Sequence, residues 1–118
     1  MGSFYLSDHA TEGGARFIRV GGYLDFDVAP QFKKCVVRRI EEGDRIVVID
    51  LSDVGFIDST AIGVLVGALK RLKEVGGSLA VVCANDNVRN IFEMVGLENV
   101  IPLYSSRDEA VAALAQAA

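Results

Sequence analysis

The sequence predicts an α/β fold: a mixed β-sheet that starts as an N-terminal hairpin, continues through βαβ units and is packed with about four α-helices. Three observations carry this. Two β-compatible segments flank a glycine turn, continuous β-branched runs follow, and amphipathic helical stretches separate those runs, each closed by glycine.

Phe4 to His9 and Ala15 to Gly21 flank Thr11-Glu12-Gly13-Gly14, which reads as a hairpin turn. Gly21 to Asp27 reads as a loop, with Asp27 capping a helix that carries Pro30 in its first turn, where a missing N–H costs nothing. Val28, Phe32, Val36 and Ile40 recur near the helical period, and Gly43 ends the run. Arg45 to Leu51 holds Ile46-Val47-Val48-Ile49, a strand that needs cover on both faces, as parallel strands do. Ser52 to Asp58 reads as a second short strand or extended loop. Ser59 to Val75 is then a helix with a stripe of Ile62, Leu65, Val66, Leu69 and Leu72.

The pattern repeats after Gly76-Gly77. Ser78 to Ala84 is a buried strand, and Asn85 or Asp86 caps a helix with Val88, Ile91, Phe92 and Val95 inward, stopped by Gly96. Val100 to Tyr104 is the last strand. Ser106-Arg107-Asp108-Glu109 is a capping box that opens a final helix with Val111, Leu114 and Ala115 on one side.

Composition fits one domain over 1–118: half the residues are apolar, a quarter charged, and such a chain buries about two-thirds of its unfolded surface. Met1 to His9 lacks the basic start and apolar core of a signal peptide, and the longest apolar run, Ala61 to Leu69, is too short to span a bilayer. A cytoplasmic location is expected. Cys35 and Cys83 sit in apolar stretches and read as free thiols. The 12 basic residues against 16 acidic ones, without a positive face beyond Lys33-Lys34 and Arg38-Arg39, argue against nucleic acid as a partner.

The chemical inventory points to binding and away from catalysis. His9 is the only histidine, so no Ser-His-Asp set or His-rich metal set can be assembled, and no phosphate loop or dinucleotide fingerprint follows a strand. No catalytic residue, metal or cofactor is expected. Gly63-xxx-Gly67 reads as close helix–sheet packing.

The segment Ile57-Asp58-Ser59-Thr60-Ala61-Ile62-Gly63 runs from a strand end into a helix through three small polar residues. Capping by Asp58 or Ser59 accounts for one of them. A second reading adds Asp25 and Asp27 on one loop and Asp53 and Asp58 on another. Loops at the carboxyl ends of adjacent parallel strands cluster, so these acids would ring Ser59 at a helix N-terminus. A phosphate there is tolerated by the helix dipole, yet it adds about −1.5 to −2 charges to an acidic surface.

With Gly22-Tyr23-Leu24-Asp25, Ala29-Pro30, Val48 to Val54, Asp58 to Gly63, Gly76-Gly77 and Phe92 to Leu97 in this order, the chain resembles the STAS domain family, in its free-standing branch of anti-sigma factor antagonists. The resemblance implies a mixed sheet with packed helices and a partner switch. Unphosphorylated antagonist binds an anti-sigma factor that is also a serine kinase, releasing sigma; the kinase modifies the serine after the Asp, here Ser59, and a serine phosphatase restores it. Asp25, Asp58, Thr60 and Ile62 then belong to the docking surface, and Thr60 is a second possible acceptor. Ala61 stands where the family more often has Gly, and its methyl group is expected to restrict the kinase's approach.

Two other functions compete. One is a phosphorylation-independent STAS module acting as a subunit of a transporter or sensory complex, with Ser59 only a cap. The other is a receiver-like phosphoacceptor or weak nucleotide hydrolase, disfavoured because Asp25 and Asp27 flank Phe26 where a receiver's metal-binding acidic pair would need a different context.

Overall fold

The computed structural model describes residues 4–11 and 13–117; Glu12 and the side chains of 115–117, Ala115 among them, lie outside the described residues. Strand β1 (Tyr5–Ala10) pairs antiparallel with β2 (Arg16–Leu24), and the turn between them is closed by Thr11 N donating to Ala15 O at 2.8 Å. Gly14 takes a φ of 84°, which a side chain would strain. Helix α1 (Ala29–Glu41), strand β3 (Ile46–Ile57), helix α2 (Ser59–Glu74), strand β4 (Ser78–Val82), helix α3 (Asp86–Met94), strand β5 (Leu103–Tyr104) and helix α4 (Arg107–Ala117) follow. A single 3-10 turn, Leu97–Asn99, lies between α3 and β5. The sheet order is β1-β2-β3-β4-β5, with every pair after the hairpin parallel. The mixed sheet with four α-helices expected from the sequence is therefore present.

One face of the sheet carries most of the core. Phe32, Val36 and Ile40 of α1, Leu65, Leu69 and Leu72 of α2, and Val88 and Phe92 of α3 pack with Ile18, Val20, Val47, Ile49 and Val81. Each such aliphatic or Phe side chain contributes about 1.5–3 kcal/mol by leaving water. The opposite face is covered by α4, whose Ala110 joins Phe17, Val48 and Val82, with Leu114 packed alongside. Arg107 lies 4.4 Å over the Phe17 ring and hydrogen-bonds His9 at 2.9 Å, and its guanidinium approaches the buried Asp50 at 3.9 Å. Among the described residues no helix is long and apolar enough to cross a membrane.

Several local expectations are corrected. Gly21 to Leu24 belong to β2, and Ser52 to Ile57 belong to one continuous β3. Two bulges break the strand pattern: between the pairs Arg19–Asp50 and Gly21–Asp53, and again between Gly22–Val54 and Tyr23–Phe56, β3 carries one residue more than β2. Its buried positions therefore step from Leu51 to Val54 to Ile57, which simple alternation does not produce. The final strand is only Leu103–Tyr104, because Leu97–Asn99 and the bonds of Val100 N and Ile101 N to Leu97 O hold the preceding chain in a turn. Val95 and Val111 are exposed; Val95 is already the C-cap of α3, and α4 buries Ala110 instead. Gly63 and Gly67 do not pack on the sheet. They line an open groove of about 290 Å³ against α1, where an added Cβ would meet nothing within 4 Å.

Candidate functional site

Strands β2 and β3 outrun β4, whose pairing with β3 ends at Asp50–Val82, so their carboxyl ends project together. Three connections leave at this edge. Residues 25–28 join β2 to α1, Asp58 joins β3 to α2, and residues 83–85 join β4 to α3. Asn85 ties the last of these to β3 through Nδ2 donating to Val54 O at 3.0 Å, while its Oδ1 accepts from Asn87 N as the N-cap of α3.

Asp58 is the organising residue. Its backbone is extended, and as N-cap of α2 its Oδ1 accepts from Ala61 N at 3.1 Å. The other oxygen, Oδ2, accepts from Phe26 N at 2.9 Å, and Asp58 N donates to Leu24 O at 3.2 Å. One residue thus starts a helix and clamps the neighbouring loop. In that loop Asp25, and not Asp27, does the local work. Asp25 O accepts from Val28 N and Ala29 N, and its Oδ1 accepts from Asp27 N at 3.0 Å. Asp27 is exposed and caps nothing, since the N-cap of α1 is Val28 with no side-chain cap. Sitting one residue too early, Asp27 yields to the turn built by Asp25.

Ser59 and Thr60 are exposed in the first turn of α2. Because Asp58 supplies the cap, the Ser59 hydroxyl is not consumed in that role. First-turn amides that a cap leaves over have no intrahelical partner, and such groups suit an anion. Ile62 is half-buried and packs against the main core, so only part of it is available to a partner. Ala61 is fully buried in that core, and its methyl group does not meet an approaching partner, contrary to the expectation from its departure from the family pattern.

Asp53 leaves the expected acidic ring. It sits five residues before Asp58, roughly 15 Å along the strand. There Arg19 donates to its Oδ2 from Nη2 at 2.7 Å and from Nε at 3.2 Å, and the Tyr5 hydroxyl donates to the same oxygen. The Tyr5 and Arg19 hydrogen bonds hold the Asp53 carboxyl below its ordinary pKa, and the Tyr5 phenol is raised in turn. The acids that the bond from Phe26 N to Asp58 brings to this edge are then Asp25, Asp27 and Asp58. Among the described residues none of these three is in an ion pair.

The cysteines take no part. Cys83 is buried and Cys35 half-buried, both are free, and burial raises both thiols. Sequence reasoning missed the bridge from Asp58 to Phe26. It also passed over the exposed aromatic side chains of Tyr23, Phe26 and Phe56 beside it. A glycine directly before Tyr23 and before Phe56 was the available signal for those two.

A mixed sheet whose parallel strand ends carry a capped helix start and two acidic loops defines a class. The chain belongs to the STAS domain family, whose profile matches residues 8–110. Within that family it is similar to the anti-sigma-B factor antagonist of Staphylococcus aureus strain NCTC 8325 / PS 47, at 30% identity over 84 residues, spanning 71% of this chain and 78% of that protein. Among solved structures, an anti-sigma factor antagonist from Mycobacterium paratuberculosis superposes with a TM-score of 0.82 at 26% identity, covering 96% of this chain and 93% of that one. The anti-sigma factor antagonist SpoIIAA in its unphosphorylated form shares the fold, with a TM-score of 0.72 at 19% identity over 97% of this chain and 98% of its own.

Proposed function

We propose that this chain, as a single STAS domain over 1–118, is a cytoplasmic anti-sigma factor antagonist that acts by binding and not by catalysis. Unphosphorylated, it engages an anti-sigma factor with serine kinase activity and frees a sigma factor; phosphorylation of Ser59 ends the engagement, and a serine phosphatase reverses it. One observation carries the reading. Asp58 caps α2, leaving the Ser59 hydroxyl exposed at the helix start and not needed as the cap, on the same edge as Asp25 and Asp27, which are in no ion pair among the described residues. Asp25, Asp58, Thr60 and Ile62 form the docking surface around it.

The physics of the switch follows. The helix dipole offsets about 0.3–1 kcal/mol of the cost of an anion at this position, so the modified domain stays folded. A phosphate of about −1.5 to −2 charges at ~7 Å from a carboxylate of the partner is repelled by roughly 1–5 kcal/mol, between water-like screening and an effective dielectric of 20. That is about one to three decades of affinity. A kinase active site presents a catalytic carboxylate and nucleotide phosphates to its acceptor, which places such negative charge opposite the product.

Incubation with the cognate kinase and ATP is expected to add one phosphate, lost in Ser59→Ala. Ser59→Asp is expected to lose the anti-sigma factor, while Ser59→Ala keeps it. Labelling that persists in Ser59→Ala would move the acceptor to Thr60. Equal partner recovery by all three proteins would favour the phosphorylation-independent module.

A further inference from the structure

Helix α4 covers only part of the outer face of the sheet, through Ala110 and Leu114 over Phe17, Val48 and Val82. The carboxyl ends of β2 and β3 extend past it and carry Tyr23 and Phe56, exposed by 47% and 45%, with ring centroids 6.1 Å apart in an edge-to-face arrangement. The two β3 bulges put Phe56 opposite Tyr23, and a Cβ added at Gly55 would stand 3.6 Å from the Tyr23 ring. Phe26 follows on the loop, exposed by 66%, and its amide is the one held by Asp58. The Tyr23–Phe56 ring pair thus lies exposed where the helix cover ends, and Phe26 stands on the loop that leaves β2, its backbone held by the carboxylate that opens the Ser59 helix. Soluble surfaces seldom leave aromatic rings grouped in this way unless a partner covers them.

We propose that Tyr23, Phe26 and Phe56 are the apolar anchor of the docking surface, and that the occupant is the anti-sigma factor, through an apolar pocket rimmed by Arg or Lys. The inference rests on the functional reading above and adds to it the chemistry of the partner's face. Charge complementarity identifies the rim: Asp25 and Asp27 flank Phe26 and are in no ion pair among the described residues, so cations on the partner would meet them. Part of the anchor is held before binding. The backbone at Phe26 is held through its amide and the Tyr23 and Phe56 rings pack edge to face, so less freedom is lost on binding than for unsupported side chains, and aromatic groups of this kind dominate interface energetics. Grip and switch are then separate: the aromatic residues supply affinity, and the charge on Ser59 decides whether it can be used.

The test is a binding titration with the purified serine-kinase anti-sigma factor that labels Ser59, alongside a steady-state phosphorylation assay. Phe26→Ala is expected to weaken binding about 10- to 100-fold and to raise KM for phosphorylation with kcat unchanged. Asp27→Lys is expected to slow association and flatten its salt dependence. Met94→Ala, an exposed apolar residue on α3, is the control and should bind as the unmodified chain does. If Phe26→Ala and Tyr23→Ala both bind normally while Ser59→Asp does not, the anchor is wrong and the switch stands. Normal binding by Ser59→Asp with loss in Phe26→Ala keeps the anchor and removes the switch. If the aromatic variants instead abolish self-association in sedimentation and leave the titration unchanged, the face belongs to a second copy and the proposal fails.

Discussion

Replacing Asp58 by Asn or Ala separates two tasks that one carboxylate performs. Its Oδ1 accepts from Ala61 N and its Oδ2 from Phe26 N, at 3.1 and 2.9 Å. Asparagine keeps a single acceptor oxygen, and Asn caps helices about as well as Asp, so Asp58→Asn retains the cap and surrenders the bond to Phe26. That loss is worth about 1 kcal/mol at a half-exposed position. Alanine removes both, adding a cap loss of about 1 kcal/mol, for a total near 2 kcal/mol. In a domain of this size each kcal/mol lowers Tm by about 3–5 °C. Equilibrium denaturation in urea should therefore rank the unmodified chain above Asp58→Asn above Asp58→Ala, in roughly equal steps. Amide exchange should locate the cause, with Phe26 N–H exchanging faster in both variants and Ala61 N–H only in the alanine one. Equal stability of all three, to within about 0.5 kcal/mol, would refute the assignment of Asp58 as both cap and clamp.

Other expectations are more direct. Asp53, whose carboxyl is held low chiefly by Tyr5 and then by Arg19, contributes stability that is fully present above the carboxyl's unfolded pKa and is lost as pH falls through the folded one; an NMR titration should show its midpoint below that of a free aspartate, moving up in Tyr5→Phe and in Arg19→Ala. Phe32→Ala removes a fully buried ring from the main core and should cost about 3–5 kcal/mol by urea denaturation. Gly77→Ala would place a Cβ 2.5 Å from the Arg45 carbonyl oxygen, a backbone atom with little room to move, and should cost about 1–3 kcal/mol while leaving Ser59 phosphorylation intact. The native thiols should react slowly with an alkylating reagent at neutral pH, because burial raises both; Cys35 should accelerate at higher pH, and Cys83 should wait for unfolding.

Where hydrophobic period and glycine punctuation agreed, the sequence was readable. The hairpin, α1 with its Phe32-Val36-Ile40 stripe, the buried run Val47 to Ile49 and the stop at Gly96 all stand as read. It failed where a tertiary contact replaces a local signal. Gly21 looked like loop material, yet it is a strand residue over which the Tyr5 ring lies, in the space a Cβ would fill. Asp27 looked like a cap because it precedes a proline helix, but a turn closed by the Asp25 carbonyl needs none. At the site, Asp58 was legible as a cap because capping is local. Its bond to Phe26 spans 32 residues and depends on how β2 and β3 register, and so does the separation of Asp53 from the other acids.

The two extra residues of β3 bear on what the gene can tolerate. Each shifts the phase of the strand by one position, and together they set which way the chain faces when it reaches Asp58 and Ser59. A point substitution between Leu51 and Ile57 changes one contact. Loss of a single residue at either bulge would restore simple alternation, keeping Val54 and Ile57 inward but removing the local bend and added twist with which the strand delivers the helix start. The length of this stretch should therefore matter more to the site than to the core, and single-codon deletions scored for both folded protein and Ser59 phosphorylation should give chains that fold but are labelled poorly.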